Sequence, residues 1–405
     1  MSGGVLWVTA EVPDREGGGG NQRQAYLLQA LADLVPVDLL VVGQPRDKGV
    51  TDAVRRLVAI PRPEPEPRSR MRGRTHAAVS AWVHRTPLDV DEQTPLRNLL
   101  GVELRTMSTD VDAVLVHHQS LGPLLTGPRR GRARWVASFF HAAGVRSEQA
   151  AAVETRALQR ALLRRDGANS ARFERQIIDV SDALVVITSE DAERLRRSGT
   201  PVHVVPMGID LDAFRPGPLP PEPTVLLTGS FDYPPNVDGA VWFASAVWPR
   251  VRAEVHDAKL LVVGRQPAAV VAALDGHDGI EVHPDVPAIA PWLARARVSV
   301  VPMRVGTGVR VKAIQSLAAG CPVVGTPIGM EGLGLGPHEA CITAEPGCFA
   351  EGVIALLRDD ALAEARRAAG RRHAERQCSW AHSGALLKSA LLGAPGPNTL
   401  GGRSC

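Results

Sequence analysis

The chain has 405 residues, of which 44% are hydrophobic and 22% charged, and carries a formal net charge of +3. This length suggests two or three domains and suffices for two separate cores, in a composition ordinary for a soluble globular enzyme. So small a net charge gives no reason to expect nucleic acid, no RNA- or DNA-binding motif is present, and no apolar run approaches the length of a membrane span.

The opening MSGGVLWVTA has no basic region and no long apolar run, so no signal peptide is expected. Cys321, Cys341, Cys348, Cys378 and Cys405 are odd in number and contain no CxxC pair. The expectation is a reducing, cytoplasmic location without a disulfide framework or structural zinc.

Residues 5–9 (VLWVT) read as a strand, 13–20 (PDREGGGG) as a glycine loop and 22–34 as a helix. The loop lacks GxGxxG spacing, and the chain has no GxxxxGK[ST]. Its glycines, Gly18 and Gly19 among them, form either a plain flexible loop or a mobile lip over a diphosphate ligand. Strands follow at 37–42 and 58–60. Residues 61–74 (PRPEPEPRSRMRGR) are a loop whose basic half could meet an anionic acceptor or a membrane surface. Residues 112–116 form a buried strand ending in His117 and His118, and 135–140 another ending in His141. Ligands of open parallel sheets sit just past such carboxyl ends, which makes His118 and His141 candidate site residues. Helices are expected at 149–165 and 171–180, then a strand at 183–187 and one at 202–206. The stretch RPGPLPPEP within 207–223 is a proline-dense linker. The strand–helix alternation then restarts. Strands fall at 224–227, 259–263, 280–283 and 298–301, with helices at 238–252, interrupted near Pro249, and 289–295.

Residues 298–333 (VSVVPMRVGTGVRVKAIQSLAAGCPVVGTPIGMEGL) run strand, glycine turn, helix, strand, glycine turn. Thr307 is placed to cap a helix whose first turn carries Val309 and Arg310. Val309, Ala313, Ile314, Leu317 and Ala318 share one face, and Gly320 ends the helix. Glycines, free N–H groups at a helix start and nearby cations suit a diphosphate. Lysine is scarce in this chain, only Lys48, Lys259, Lys312 and Lys388, so Lys312 stands out beside Arg310. Beyond lie a strand at 341–343, helices at 350–358 and 361–377, an amphipathic helix at 380–392 and a disordered tail at 393–405.

Three segments carry a resemblance: TGSFDYPPNVDGAVWFASAVWPRV, LLVVG and PMRVGTGVRVKAIQSLAAGCPVVGTPIGMEGL. They resemble the donor-binding domain of GT-B glycosyltransferases of the retaining group-1 type (family 4). VHVVPMGIDLDAF is similar to the exit from that family's first domain. The resemblance implies an α/β chain of two Rossmann-like domains facing a cleft. Residues 1–206 would form the acceptor-side domain, 207–223 a linker, 224–377 the nucleotide-sugar-binding domain, and 378–392 a helix packing back on the first domain. It further implies transfer of a sugar from a nucleotide-diphosphate sugar to a hydroxyl acceptor, with retention. The donor would lie against Gly18, Gly19, Gly229, Arg310, Lys312, Gln315, Gly329, Met330, Glu331, Gly332 and Leu333. His141 would be the catalytic residue and His118 an acceptor contact. No cofactor and no metal are implied. The acceptor is a polysaccharide-lipid, glycolipid or natural product, with peripheral membrane contact if it is lipid-linked.

The family's two signature glutamates are Thr307 and Gln315 here, and Met207 stands where asparagine is frequent. The arginine–lysine pair that many members carry after the strand at 224–227 is absent. Arg310 and Lys312 are the candidates to supply its charge. Two other readings share the scaffold: a nucleotide-sugar epimerase or hydrolase, and a catalytically silent partner that binds sugar nucleotide or a second transferase. The nucleotide base, sugar and acceptor are not written in these motifs.

Overall fold

The computed structural model describes residues 3–16, 19–62, 85–87, 90, 93–129, 131–154, 156–196, 199–306 and 308–393. The expectations for 63–74, for Gly18, for Thr307 as a helix cap and for the tail beyond Gly393 lie outside these residues. The chain divides into one unit of residues 1–208 and 380–405 and another of residues 209–379. Each is a parallel sheet with helices on both faces, so the two Rossmann-like domains are present.

The first unit holds β1 (Val5–Thr9), α1 (Gly19–Ala32), β2 (Val37–Val42), α2 (Lys48–Ala53), β3 (Arg56–Ile60), α3 (Thr94–Met107), β4 (Ala113–His117), β5 (Arg134–Ser138), α4 (Ala143–Val153), α5 (Ala157–Asp179), β6 (Ala183–Val186), α6 (Ser189–Leu195) and β7 (Val202–Val204). The strands run in the order β3-β2-β1-β4-β5-β6-β7. Alternate residues face opposite sides of the sheet. Leu6, Val8, Val114 and Val116 pack with Leu100 and Leu104 of α3 and with Ile177 and Ile178 of α5. Val5, Trp7, Ala113 and Leu115 pack with Leu28 of α1 and with Leu387 and Leu391 of the last helix, α14 (Trp380–Leu392). The return of this helix to the first domain is therefore as expected. Trp380 stacks on Tyr26 of α1, with centroids 5.3 Å apart and planes 9° apart. Arg23 is a residue that periodicity does not flag. It is buried in α1, donates to Pro206 O (2.8 Å) and Val205 O (2.7 Å), and burial lowers its guanidinium to about 10.

Helices α4 and α5 correct the expected 149–165 and 171–180. The helix runs unbroken through Gly167 because that glycine is a packing position. A Cβ there would stand 3.2 Å from Gly144 O, so the two helices approach closely along a glycine seam.

The second unit holds β8 (Thr224–Ser230), α7 (Pro234–Trp242), α8 (Trp248–Glu254), β9 (Lys259–Arg265), α9 (Ala269–Ala272), β10 (Ile280–Pro284), α10 (Ala290–Arg295), β11 (Val298–Val301), α11 (Val311–Ala318), β12 (Val323–Gly325), β13 (Ala340–Ile342), α12 (Pro346–Arg358) and α13 (Asp360–Gln377). The order is β10-β9-β8-β11-β12-β13. A π-helical turn at Phe243–Val247 joins α7 to α8, so the irregularity precedes Pro249, which occupies the tolerated first turn of α8. The proline-dense stretch is held against its own unit: Arg297, Arg367 and Arg371 donate to Pro220 O, Gly217 O and Phe214 O respectively.

The start of α11 is also corrected. Gly306 (φ 115°) and Gly308 (φ 84°) are left-handed, which no helix accommodates, so Val309 stays in the loop. The N-cap is Arg310, with an extended backbone and no side-chain capping bond, and helix begins at Val311.

Candidate active site

In an open parallel sheet a crevice opens where neighbouring strands send their connections in opposite directions. In the second unit that point lies between β8 and β11. Three loops emerge at these carboxyl ends: the one after β8, the one between β11 and α11, and the one after β12.

The first two meet through Lys312. From the first turn of α11, its Nζ donates to Asn236 Oδ1 at 2.8 Å. Asn236 in turn donates from Nδ2 to Ser230 O at 2.8 Å, so the amide is oriented by the last residue of β8. Gly229 lies beneath this pair. A Cβ there would stand 3.2 Å from the Asn236 amide and 3.3 Å from Lys312 Nζ, so a larger side chain would press on both. Desolvation, with a smaller contribution from the like charge of Arg310, lowers the Lys312 ammonium to about 7. Arg310 is 8% exposed; burial lowers its pKa, while Glu331 and Tyr233 act in the opposite direction. Arg304 in the same loop pairs with Asp238 of α7 (Nε to Oδ2, 3.0 Å). The structure thus gathers Gly229, Arg310, Lys312 and Glu331 and adds Asn236 and Tyr233. Gln315 lies half-buried three residues after Lys312 on α11.

The loop after β12 is held by Thr326, a buried residue that no motif reading singled out. Its hydroxyl donates to Met303 O and accepts from Gly329 N at 2.9 Å, tying this loop to the one after β11. Gly329 is obligatory there, since a Cβ would lie 2.3 Å from Val301 O. Met330 N donates to Thr326 O (3.0 Å), Glu331 N to Ile328 O (3.4 Å) and Leu333 N to Met330 O (3.3 Å). Met330 and Leu333 are buried, and Leu333 O accepts from His373 Nε2 of α13 at 2.9 Å. Gly332 has φ 76°. These glycines and apolar residues shape the loop, and Glu331 is its half-buried acid.

In the first unit the corresponding point lies between β1 and β4. His117 is a core residue there, packed against Trp7 (5.2 Å between centroids) and Phe140 (4.9 Å, edge-on), and burial lowers its pKa well below the usual range. His118 has φ 83°, a strained backbone for a non-glycine residue. Its Nδ1 lies 2.7 Å from Ser120 Oγ, and burial lowers its pKa against the opposing effect of Glu11. His141 Nε2 lies 3.2 Å from Arg146 Nη1. A guanidinium only donates, so Nε2 accepts and the ring proton sits on Nδ1. Burial, then Arg146, then His118, lowers His141 to about 4. The loop after His141 is clamped by two buried carboxylates: Asp191 Oδ1 accepts from Ala142 N at 3.3 Å and Glu174 Oε1 from Ala143 N. Both act on free N–H groups at the start of α4, where negative charge is favourable. Gly19 is the exposed first residue of α1, with nothing within 4 Å of a Cβ position. Among the described residues no group of three or more His, Cys, Asp or Glu is placed to hold a metal ion.

The chain matches known proteins across both units. A family model described as Glycosyltransferase Family 4 matches residues 17–213, and one described as Glycosyl transferases group 1 matches residues 222–359. A D-inositol 3-phosphate glycosyltransferase of Xylanimonas cellulosilytica is 31% identical over 248 residues, which are 53% of this chain and 57% of that protein. The chain thus spans little more than half the length of that curated relative. Sucrose-phosphate synthase from Thermosynechococcus elongatus superposes with a TM-score of 0.67 at 18% identity, covering 95% of this chain and 97% of the other. The E. coli trehalose-6-phosphate structure bound with UDP-2-fluoro glucose superposes with a TM-score of 0.67 at 14% identity, covering 96% and 98%. At these identities the structural likeness shows the fold. With one model on each unit and the two-sheet architecture in common, the chain belongs to the group 1, family 4 glycosyltransferases and has the GT-B fold.

Proposed function

We propose that the chain transfers a sugar from a nucleoside-diphosphate sugar to a hydroxyl acceptor with retention of anomeric configuration. The observation that carries this reading is the pair of cations beyond the carboxyl ends of β8 and β11: Lys312, whose amine lies over Gly229, and Arg310, which lies against Gly306 and acts electrostatically on Lys312. The reaction expels a diphosphate and passes through a sugar with positive charge at the anomeric carbon. Preorganised cations stabilise the first, and on this reading Arg310 and Lys312 supply the charge of the arginine–lysine pair absent after β8. Their charge makes a metal unnecessary for holding the diphosphate. A donor phosphate oxygen takes the acceptor proton, which leaves His141 as a hydrogen-bond donor through Nδ1 rather than a base. Glu331 and Gln315 meet donor hydroxyls, and His118 faces the acceptor.

The name of the curated relative makes D-inositol 3-phosphate the first acceptor to try. Glycolipid, polysaccharide-lipid and natural-product acceptors follow, a lipid-linked one implying peripheral membrane contact. The unpaired thiols of Cys321, Cys341, Cys348 and Cys378 support a cytoplasmic location, and none of the described helices is long and apolar enough to cross a membrane.

The test is equilibrium binding of UDP, GDP, dTDP and ADP to the wild type and to Arg310→Ala/Lys312→Ala. One or two nucleotides bind, and the double substitution weakens them at least about tenfold, the scale of a lost charge-assisted phosphate contact. Absence of binding to all four moves the silent-partner reading ahead, because Gln315 stands where the family's ribose-binding glutamate is expected. A product with an isomerised sugar would instead establish the epimerase reading.

A further inference from the structure

The three cations around the loop between β11 and α11 differ in what faces them. Arg304 is in an ion pair with Asp238, and Arg310 is opposed by Glu331. Lys312 meets only an amide. Its Nζ donates to Asn236 Oδ1, and no carboxylate among the described residues lies within ion-pair distance of it. The amide is itself fixed, because Asn236 Nδ2 donates to Ser230 O and Asn236 N to Tyr233 O at 2.9 Å.

We propose that Asn236 is a positioning residue of the donor site: it holds the Lys312 amine beside Gly229 without neutralising it, so that an incoming diphosphate is that lysine's first counter-ion. The inference rests on the donor-site reading above.

An aspartate at 236 has nearly the same shape but would give Lys312 a permanent partner, leaving less attraction for phosphate. A second consequence concerns protons. The charged group that acts on Lys312 is Arg310; of the acids on the neighbouring elements, Asp238 on α7 is engaged by Arg304 and Glu331 after β12 opposes Arg310. β8 contributes only the neutral Gly229 and Ser230. Desolvation first, and then the like charge of Arg310, holds the amine to about 7, so above that pH it is largely neutral in the free protein. A bound diphosphate restores the proton, and binding therefore takes one up from solution. The affinity falls with rising pH above 7, with a slope approaching about tenfold per pH unit.

The chain has four lysines, so selective 13Cε-lysine labelling yields four NMR signals, and Lys312→Met identifies the one of interest. The experiment titrates that signal in wild type and Asn236→Asp and measures UDP, GDP, dTDP and ADP binding in both proteins from pH 6 to 9. In the wild type Lys312 titrates near neutrality. In Asn236→Asp it titrates about two units higher, as an adjacent carboxylate requires. Nucleotide binding is then at least about tenfold weaker at pH 6.5 and loses its slope above pH 7. A Lys312 titration unmoved by Asn236→Asp overturns the proposal, as does wild-type nucleotide binding that is independent of pH between 7 and 9. If no nucleotide binds, the donor-site reading fails, and the lysine titration alone decides the role of Asn236: a shift supports it and no shift overturns it. Thermal melting of the two proteins separates loss of folding from loss of positioning.

Discussion

At the scale of single residues, the chemistry of the site depends on which neighbour each ionisable group meets. His141 is half-buried, with Arg146 donating to Nε2, and both effects favour the neutral ring. Replacing Arg146 by alanine removes a like charge and the donor together. The expected result is a His141 pKa raised from about 4 toward the ordinary histidine range, with the ring proton no longer confined to Nδ1, both read from 15N shifts. An unchanged titration would mean that burial alone sets the pKa. The sign for stability follows from proton counting. Between about 4 and the unfolded value near 6.5 the unfolded chain binds more protons at this site, so the contribution of His141 is complete above pH 6.5 and is lost as pH falls through that window. The sequence marks His141 as a strand-end histidine. It does not mark Arg146, because a residue five positions on becomes a neighbour only once α4 turns.

At the scale of elements, glycine decides where helices start and how loops close. The stretch from β11 to β12 is legible as strand, turn, helix, strand because its apolar pattern is strong. A reading that puts Val309 and Arg310 in the first turn starts α11 too early, because the backbone angles of Gly306 and Gly308 are invisible in the letters. That shift matters to the site, since it puts Arg310 at the N-cap and Lys312 in the first turn. Gly329 shows the same dependence. It reads as a ligand-facing glycine, yet its missing side chain is required by Val301 O at 2.3 Å from the Cβ position and by the Thr326 bond. Gly329→Ala should therefore destabilise the second unit by about 1–3 kcal/mol, the range for forcing volume into a packed site. Urea unfolding measures it, and a change below about 0.5 kcal/mol would show that the loop relaxes freely.

At the scale of the whole molecule, two sheets with separate cores are joined by a chain that leaves the first unit at Gly208 and rejoins it at Trp380. The last helix completes the first core: Leu386, Leu387, Ala390 and Leu391 bury against the strand face that carries Val5 and Trp7. Trp380 stacks on Tyr26 and lies over Gly208, where a Cβ would meet its ring at 2.4 Å. Trp380→Ala should cost the first unit about 1–3 kcal/mol, below the range for a fully buried tryptophan because this one is half-buried. In calorimetry this lowers the transition of the first unit and leaves that of the second, and equal lowering of both would show that the units unfold together. By itself the sequence determined the two α/β halves and most strand positions and nominated Arg310 and Lys312 as donor-site cations, while the return of the last helix was implied by the family resemblance. These depend on local apolar periodicity and on motif spacing, which are properties of neighbouring letters. Only the tertiary structure decided that Asn236 faces Lys312, that Thr326 ties two loops together, that Asp191 and Glu174 clamp the segment after His141, and that Arg23 is buried in α1. Each of these pairs residues from different strand–loop units, and such partners become neighbours only when the sheet orders its strands.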